Sequence, residues 1–450
     1  MSDRPAIPRP GQPRLARLLV ATLVLVLLAA ACGGGGGAGT GGGEDATAGY
    51  DPNAQVSITW WTGQTADAHE VLEKLAAEYH GKHPNVTIKA SPGAPTTDDL
   101  LTKLSAGFTG GTYPDISYAY GSWASQLAQS GKTQDIAKTV ADPAVRWEEI
   151  PAAARATATV DGKVIGIPAL VDNLGLIYNK KLFDAAGLDY PTDDWSWDQF
   201  REAARRLTDR SRNVYGTAYS VSGSEDTTWH LWPLLWQKGG AILDSAGKPA
   251  FNSDAGVQAL EFLRQMAVED KSMYLDQTDE KYAPLFLDGR IAMMLSGPWE
   301  LYDLKERKLD YGVTFLPGFN GDHQTVSGPD VWVLFDHDDP NRAGAARDFL
   351  VWLTAKEQDV RWNLAYGNLP LRSSERDSKE FAAYTKEYSP GGQKFFDNLA
   401  NAKQPRPTVN GYVEMSRYVG EAISRVLQGA ANPKEALDQA AKLSEGALDQ

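Results

Sequence analysis

The segment that decides the fold class runs from VSITW at residues 56–60 to DISY at residues 115–118. VSITW alternates apolar and polar residues, which is typical of a half-buried strand. Apolar residues at helical spacing follow between residues 68 and 79 and again between 100 and 108, with a short strand between them from Val86. This order of strand, helix, strand, helix and strand predicts an α/β fold with a mostly parallel sheet covered by helices.

Two loops in this segment are candidate ligand loops. In a parallel sheet covered by helices, ligands bind beyond the carboxyl ends of the strands. Those positions are taken by TGQ at residues 62–64 and by YAYGSW at residues 118–123.

The chain beyond residue 55 is too long for one simple hydrophobic core, so the sequence predicts two lobes. A second α/β region begins near residue 173. Its clearest local signal is WSWDQF at 195–200, where Ser196 and Gln199 have the spacing of a helix capping box.

The charge balance limits the kinds of partner. The chain carries a net charge of −14, and residues 1–31 contribute four arginines and one aspartate, so the remainder carries −17. Such acidity argues against nucleic acid or an anionic membrane surface as the main partner. The 13 Trp and 18 Tyr are typical of a hydrophobic core, and aromatic residues also line sites for sugars.

The N-terminus predicts export and a lipid anchor. Four arginines precede a short apolar run at 18–31, which ends in three alanines before Cys32, the only cysteine. This pattern is typical of a signal peptide over residues 1–31, and the cysteine after small residues resembles a bacterial lipobox, although Ala29 stands where leucine is usual. Lipidation of Cys32 is the interpretation, and an incidental thiol is the alternative. The glycine-rich segment that follows predicts a tether over residues 32–54.

Six segments, in order, resemble the carbohydrate-binding class of ABC-transporter solute-binding proteins, such as the maltodextrin-binding proteins. They are LTKL to YPDI (101–116), DGKVIGIP (161–168), YNK to AGL (178–188), WSWDQF (195–200), FLDGRIAMMLSGPW (286–299) and GNLP (367–370). The likeness extends over residues 55–450.

The resemblance implies an α/β, two-lobed, periplasmic-binding-protein-like fold with discontinuous lobes and a ligand cleft at a hinge. The chain would cross between lobes near 168–174, 326–330 and 372. The N-terminal lobe would then comprise 55–170 and 331–372, and the C-terminal lobe 173–326 and 373–450. Hinged lobes of this kind close around a ligand.

The resemblance also implies a set of ligand-binding residues. Trp299 and Trp229 correspond to aromatics that stack on sugar rings, and Asp172 corresponds to a carboxylate that accepts sugar hydroxyls. For each, a core or hinge role is the alternative. The further candidates are Gln64, Asn173, Ser122, Trp123, Asp330, Trp332 and Asn368. Trp232 and Trp236, by contrast, are expected in the core.

The sequence offers little other chemistry. His80 and His83 lie on either side of a helix-ending glycine with no further ligand near them, so no metal site is expected, and no cofactor is implied. The expected function is that of an extracellular, lipid-anchored, monomeric substrate-binding component of an ABC importer, which delivers a disaccharide or oligosaccharide to a membrane permease. The alternatives are an extracellular glycoside hydrolase, a sensor subunit, and uptake of a non-sugar ligand such as a glycerophosphodiester.

Overall fold

The computed structural model describes residues 46–64, 66–94, 97–278 and 281–449. These residues belong to one compact unit. The predicted signal peptide, Cys32 and most of the tether lie outside the described residues.

Both strands and helices occur throughout most of the described residues, and only helices follow the last strand. The strands are β1 (Val56–Trp61), β2 (Val86–Ser91), β3 (Ile116–Tyr120), β4 (Thr159–Val160), β5 (Lys163–Val164), β6 (Gly166–Leu170), β7 (Gly175–Asn179), β8 (Thr217–Ser220), β9 (Met273–Asp276), β10 (Met293–Ser296), β11 (Tyr311–Thr314) and β12 (Asp330–Leu334). The helices are α1 (Ala66–Lys82), α2 (Thr97–Gly110), α3 (Ala124–Gln129), α4 (Ala137–Val140), α5 (Ala152–Thr157), α6 (Lys180–Ala186), α7 (Trp197–Leu207), α8 (Glu225–Trp229), α9 (Trp232–Gln237), α10 (Asp254–Arg264), α11 (Tyr282–Leu287), α12 (Leu301–Glu306), α13 (Pro340–Leu353), α14 (Lys356–Trp362), α15 (Lys379–Glu387), α16 (Gly391–Asn398), α17 (Tyr412–Leu427) and α18 (Pro433–Leu448).

The first sheet has the strand order β2-β1-β3-β12-β6. Strands β1, β2 and β3 are parallel, as the alternation of strands and helices predicted. Strand β12 returns from much later in the chain and lies antiparallel between β3 and β6. Its side chains, with those of β1 and β3, form a core in which Trp332 packs edge-on against Trp60, with 5.2 Å between the ring centroids.

A buried carboxylate joins the elements of this sheet. Asp115, which precedes β3, accepts hydrogen bonds from the backbone nitrogen of Thr59 at 2.8 Å and from its hydroxyl at 2.9 Å. It also accepts two hydrogen bonds from the Arg342 guanidinium on α13, at 3.0 and 2.8 Å. A buried charge is tolerated when it is paired and hydrogen-bonded in this way, so Asp115 fixes β1, β3 and α13 relative to one another.

The second half of the fold is built on the sheet β10-β7-β11 and the parallel pair β8–β9. Helix α7 begins at the predicted capping box, in which Ser196 and Gln199 cap each other's backbone nitrogens. Helix α18 begins after Asn432, whose side chain accepts a hydrogen bond from the backbone nitrogen of Lys434. The core around these elements also contains buried residues of α17 and α18, and both Trp232 and Trp236 lie in it, as predicted.

The lobes are discontinuous because the chain crosses between these sheets more than once. It leaves the first sheet after β6, enters the second at β7, and returns to the first at β12. The lobe limits at residues 170, 173, 326, 331 and 372 remain predictions. No helix in the described part of the chain is long and apolar enough to cross a membrane.

Replacement of Trp232 tests the core assignment. Its side chain is 0% exposed, and its indole nitrogen donates to the Tyr412 hydroxyl at 3.3 Å. Trp232→Ala should lower the free energy of unfolding by about 3–5 kcal/mol, because it leaves a cavity in the core. Urea denaturation measures this loss, and Trp232→Phe, which leaves a smaller cavity, should lose less. A loss below about 1 kcal/mol for Trp232→Ala would contradict the assignment.

Candidate functional site

A cavity of about 300 Å³ lies at one edge of the first sheet. It is lined by Gly63, Gln64, Tyr118, Tyr120, Leu170, Asp172, Glu225, Asp226, Trp229, Tyr282, Trp299, Asp330, Asn368 and Arg406. Its volume lies at the lower end of the range for small-molecule sites.

The register of the first sheet brings residues from three strand ends together in one wall of the cavity. Tyr120 at the end of β3 pairs with Asp330 at the start of β12, which in turn pairs with Leu170 at the end of β6. Gln64 follows the end of β1 at the same edge. The edge where parallel strands end is the edge predicted for ligand loops. The opposite wall comes from the second half of the fold, including α8 and the turn after β10.

Six of the residues predicted from the sequence line this cavity. They are Gln64, Asp172, Trp229, Trp299, Asp330 and Asn368. They come from six separate stretches of chain, so the fold brings together what the sequence keeps apart.

Asn173 and Trp332, two other predicted residues, lie outside the cavity. The Asn173 amide donates to the backbone oxygen of Phe395 at 2.9 Å and accepts from Asn398 at 2.6 Å, so it holds α16 in place. Trp332 points into the core of the first sheet, where it is 0% exposed. Because β12 is covered on both faces, its apolar pattern does not indicate which side chains face a ligand.

Ser122 and Trp123 also lie outside the cavity. Both are buried in the short turn that follows β3. Trp123 packs against Tyr120, with 4.6 Å between the ring centroids, and belongs to the core of the first sheet. Tyr120 therefore takes the cavity-facing position expected of Trp123.

Trp229 is fixed in the cavity wall by two contacts. The Arg406 guanidinium lies 4.2 Å from the centre of its ring, a cation–π geometry. Gly328 packs so closely against the Trp229 ring that a Cβ atom at position 328 would lie 2.1 Å from it. The Trp229 indole nitrogen is buried and has no hydrogen-bond partner among the described residues.

Arg406 is the main residue that the sequence prediction missed. Its Nη1 donates to Glu225 at 2.7 Å, and Glu225 also accepts from the Tyr412 hydroxyl at 2.9 Å and from Ser416. Only 6% of Arg406 is exposed, yet Nε and Nη2 make no hydrogen bond within the described residues. Burial opposes its charge, but Glu225 holds the pKa of Arg406 above its usual value.

The wall at the edge of the first sheet holds two buried carboxyl groups, Asp172 and Asp330. Asp172 accepts from the backbone nitrogen of Gly328 at 2.8 Å, and Asp330 accepts from the Tyr118 hydroxyl. Burial raises the pKa of Asp330 to about 7. Burial and the neighbouring Asp330 raise the pKa of Asp172 well above its usual value.

The other residues that the sequence prediction missed are Tyr118, Tyr120, Glu225, Asp226 and Tyr282. Tyr118 and Tyr120 fall in a predicted ligand loop, which was the available signal. Glu225, Tyr282 and Arg406 lie at helix starts or in a loop with no distinguishing pattern. The described residues contain no group of three side chains able to hold a metal ion.

The model of a protein family described as bacterial extracellular solute-binding protein matches residues 74–387. The chain belongs to this family. Among curated relatives of this solute-binding protein, the sn-glycerol-3-phosphate-binding periplasmic protein of Escherichia coli K12 is 22% identical over 86% of this chain and 92% of its own.

Solved structures show the same fold. An ABC substrate-binding protein of Listeria monocytogenes in complex with cycloalternan aligns with a TM-score of 0.78 and 23% identity, over 87% of this chain and 99% of that one. The cyclic α-maltosyl-1,6-maltose binding protein of Arthrobacter globiformis aligns with a TM-score of 0.73 and 26% identity, over 88% and 99%. These findings confirm the two-lobed, periplasmic-binding-protein-like fold. The family match also confirms that the protein is an extracellular solute-binding protein, the kind expected as the substrate-binding component of an ABC importer.

The raised pKa of Asp330 predicts a pH dependence of stability. The folded-state pKa lies near 7 and the unfolded value near 3.9, so ionisation of Asp330 destabilises the folded protein. This contribution to stability is complete below about pH 4 and is lost as pH rises through about 7. Asp330→Asn should therefore raise Tm relative to wild type more at pH 8 than at pH 5, by on the order of 2 °C.

Thermal melts without ligand measure this difference, and Asp161→Asn, which alters an exposed carboxylate, serves as the matched control. An equal Tm difference at both pH values would show that Asp330 does not titrate between them.

Proposed function

We propose that this protein binds a disaccharide or oligosaccharide in the cavity, outside the cell, and delivers it to the permease of its ABC importer. The observation that carries the proposal is the combination of aromatic faces, buried carboxyl groups and a buried guanidinium in one cavity.

Hydroxyl groups suit this mixture of polar groups. Asp172 and Asp330 offer acceptor oxygens, Arg406 offers uncommitted donors, and the amides of Gln64 and Asn368 offer both. A sugar hydroxyl both donates and accepts, so an array of hydroxyls can pair with each of these groups. Hydrogen bonds to charged groups are the stronger ones, and they offset the cost of burying carboxyls and a guanidinium.

The aromatic residues provide the remaining contact area. Trp229 and Trp299 line one side of the cavity, and Tyr118, Tyr120 and Tyr282 line other parts. The apolar face of a pyranose can bury its C–H groups against such rings while its hydroxyls remain in the plane of the polar groups.

The charge balance of the cavity disfavours a phosphate ligand. Four carboxyl groups line it, from Asp172, Glu225, Asp226 and Asp330, against the single guanidinium of Arg406. That guanidinium is already paired with Glu225. A phosphate would bring further negative charge to a site in which burial has already raised the pKa values of Asp172 and Asp330, so negative charge is disfavoured there. The match to a glycerol-3-phosphate-binding protein therefore does not transfer its ligand to this chain, whereas the structural relatives that bind cyclic glucosides support a sugar.

We also propose that the two lobes close around the ligand. The cavity lies between the edge of the first sheet and elements of the second half of the fold, which short crossings connect. A ligand that contacts both walls stabilises the closed arrangement by the contacts it makes only there.

The lipid anchor is a further part of the proposal. Cys32 follows a predicted signal peptide and precedes a glycine-rich segment. With a diacylglyceryl group on the cysteine and an acyl chain such as palmitate on its amine, the binding protein would remain at the outer face of the cell membrane, near the permease.

A ligand screen tests the proposed function. Maltose, trehalose, cellobiose and maltotriose should include at least one sugar that raises Tm, because a ligand at 100 times its Kd adds about 2.7 kcal/mol to folding stability. sn-Glycerol-3-phosphate should give no shift. A shift with the phosphate and none with any sugar would contradict the proposal.

Replacement of Trp299 tests the sugar-stacking role. Trp299→Ala should weaken binding of the tightest sugar by about 2–3 kcal/mol, or roughly 30- to 150-fold, because a buried ring face is lost. Isothermal titration calorimetry measures the affinity and thermal melts measure the stability. Normal affinity combined with a much lower Tm would place Trp299 in the core instead.

Replacement of Cys32 tests the anchor. The Cys32→Ala protein should be exported but released from membranes, because two or more acyl chains hold a protein where one gives only marginal attachment. Fractionation of washed membranes measures the distribution, with Cys32→Ser as a second variant. Full retention of the processed Cys32→Ala protein would contradict the anchor.

A further inference from the structure

Trp299 lies in a short turn, Pro298–Glu300, that follows β10 and enters α12. The residue beside it, Glu300, is buried and only 6% exposed. One carboxylate oxygen of Glu300 accepts from the indole nitrogen of Trp299 at 3.1 Å and from the Ser296 hydroxyl at 2.8 Å. The edge of the Trp299 ring is therefore attached to a side chain that does not itself line the cavity.

A second contact limits the position of the same ring. A Cβ at Gly297 would lie 2.1 Å from the ring of Trp299, so the ring occupies the space above that glycine. With its edge hydrogen-bonded to Glu300 and part of its surface over Gly297, the ring has little freedom to rotate. A ring fixed before the ligand arrives loses less conformational entropy on binding.

Glu300 has no cation to offset its burial among the described residues. Its hydrogen bonds come from a hydroxyl and an indole, and its charged neighbours are the carboxylates Asp303 and Asp226. Burial raises the pKa of Glu300 to about 7. A glutamine would accept the same two hydrogen bonds without a charge, so the ionised state, which Glu300 reaches above this pKa, is what distinguishes the two side chains.

We propose that Glu300 is a positioning residue for ligand binding, which holds the Trp299 ring through its indole N–H and makes the ring face more negative. A carboxylate that accepts from the indole nitrogen increases the electron density of the ring. The face of an aromatic ring is already its negative part, and the C–H groups of a pyranose present positive hydrogen atoms to it. This inference rests on the proposed stacking of a sugar on Trp299.

A double-mutant cycle at pH 8 tests the proposal. Glu300→Met keeps the approximate size but removes both acceptor and charge, and it should weaken binding of the tightest panel sugar about fivefold. Glu300→Gln keeps the acceptor and loses only the charge, so its loss should be smaller. In the Trp299→Phe background, which lacks the indole N–H, Glu300→Met should cause no further loss.

A spectroscopic measurement tests the same link without any ligand. The indole proton of Trp299, assigned by its disappearance in Trp299→Phe, should move upfield in Glu300→Met, with Glu300→Gln between the two. A purely structural role for Glu300 would lower Tm without this ordered shift. If Glu300→Met does not fold, Glu300→Gln still carries the test through both its affinity and its indole shift.

The outcomes separate this inference from the proposed function. If Trp299→Phe weakens sugar binding and neither Glu300 variant does, the positioning role is overturned and the proposed function stands. If none of the panel sugars binds, the proposed function fails, and the indole shift alone decides whether Glu300 holds the ring. An unchanged indole shift in both Glu300 variants overturns the inference.

Discussion

The antiparallel placement of β12 between β3 and β6 is the constraint on which the site depends. Strand β12 comes late in the chain, whereas the other four strands of its sheet come from the first part of the chain. Its first residue, Asp330, consequently lies beside Tyr120 and Leu170 at the cavity edge. The same return makes the lobes discontinuous, because the chain between β6 and β12 builds most of the opposite wall. The pairing of β12 with β3 and β6 therefore determines both the discontinuous lobes and the place of Asp330 at the cavity edge.

Several charged or ionisable side chains of the cavity are buried with few hydrogen-bond partners. Asp172 and Asp330 are buried with few donors, and Arg406 has two nitrogens without partners among the described residues. A hydrogen bond from a ligand would offset part of the cost of burying each of these groups. The buried Asp115 in the sheet interior differs from them, because it is paired with Arg342.

The sequence predicted local structure well because local structure depends on neighbouring residues. The strand at residues 56–60 and the capping box at Ser196 are confirmed, since each signal is complete within a few residues. The resemblance to a known class then supplied the topology, which periodicity alone leaves open.

The site was harder to predict because it is assembled from distant segments. Arg406 lies in a loop without helical or strand pattern, and only the folded chain brings it to Glu225. Trp332 and Trp123 were expected at the ligand but pack in the core. Aromatic residues near strand ends are common in both places, so their sequence position does not distinguish the two. Trp332 lies in the core because both faces of β12 are buried. The sequence of β12 has no alternation that would show which of its side chains face the core.

Two glycines, Gly297 and Gly328, determine where the cavity's tryptophan rings can lie, although neither glycine lines the cavity. A single added methyl group at either position would displace Trp299 or Trp229 while leaving every lining residue unchanged. The range of solutes accepted by such a protein can therefore change during evolution through substitutions behind the binding surface. Two related proteins with identical lining residues could therefore bind different solutes, and a comparison of the lining residues alone would not reveal the difference.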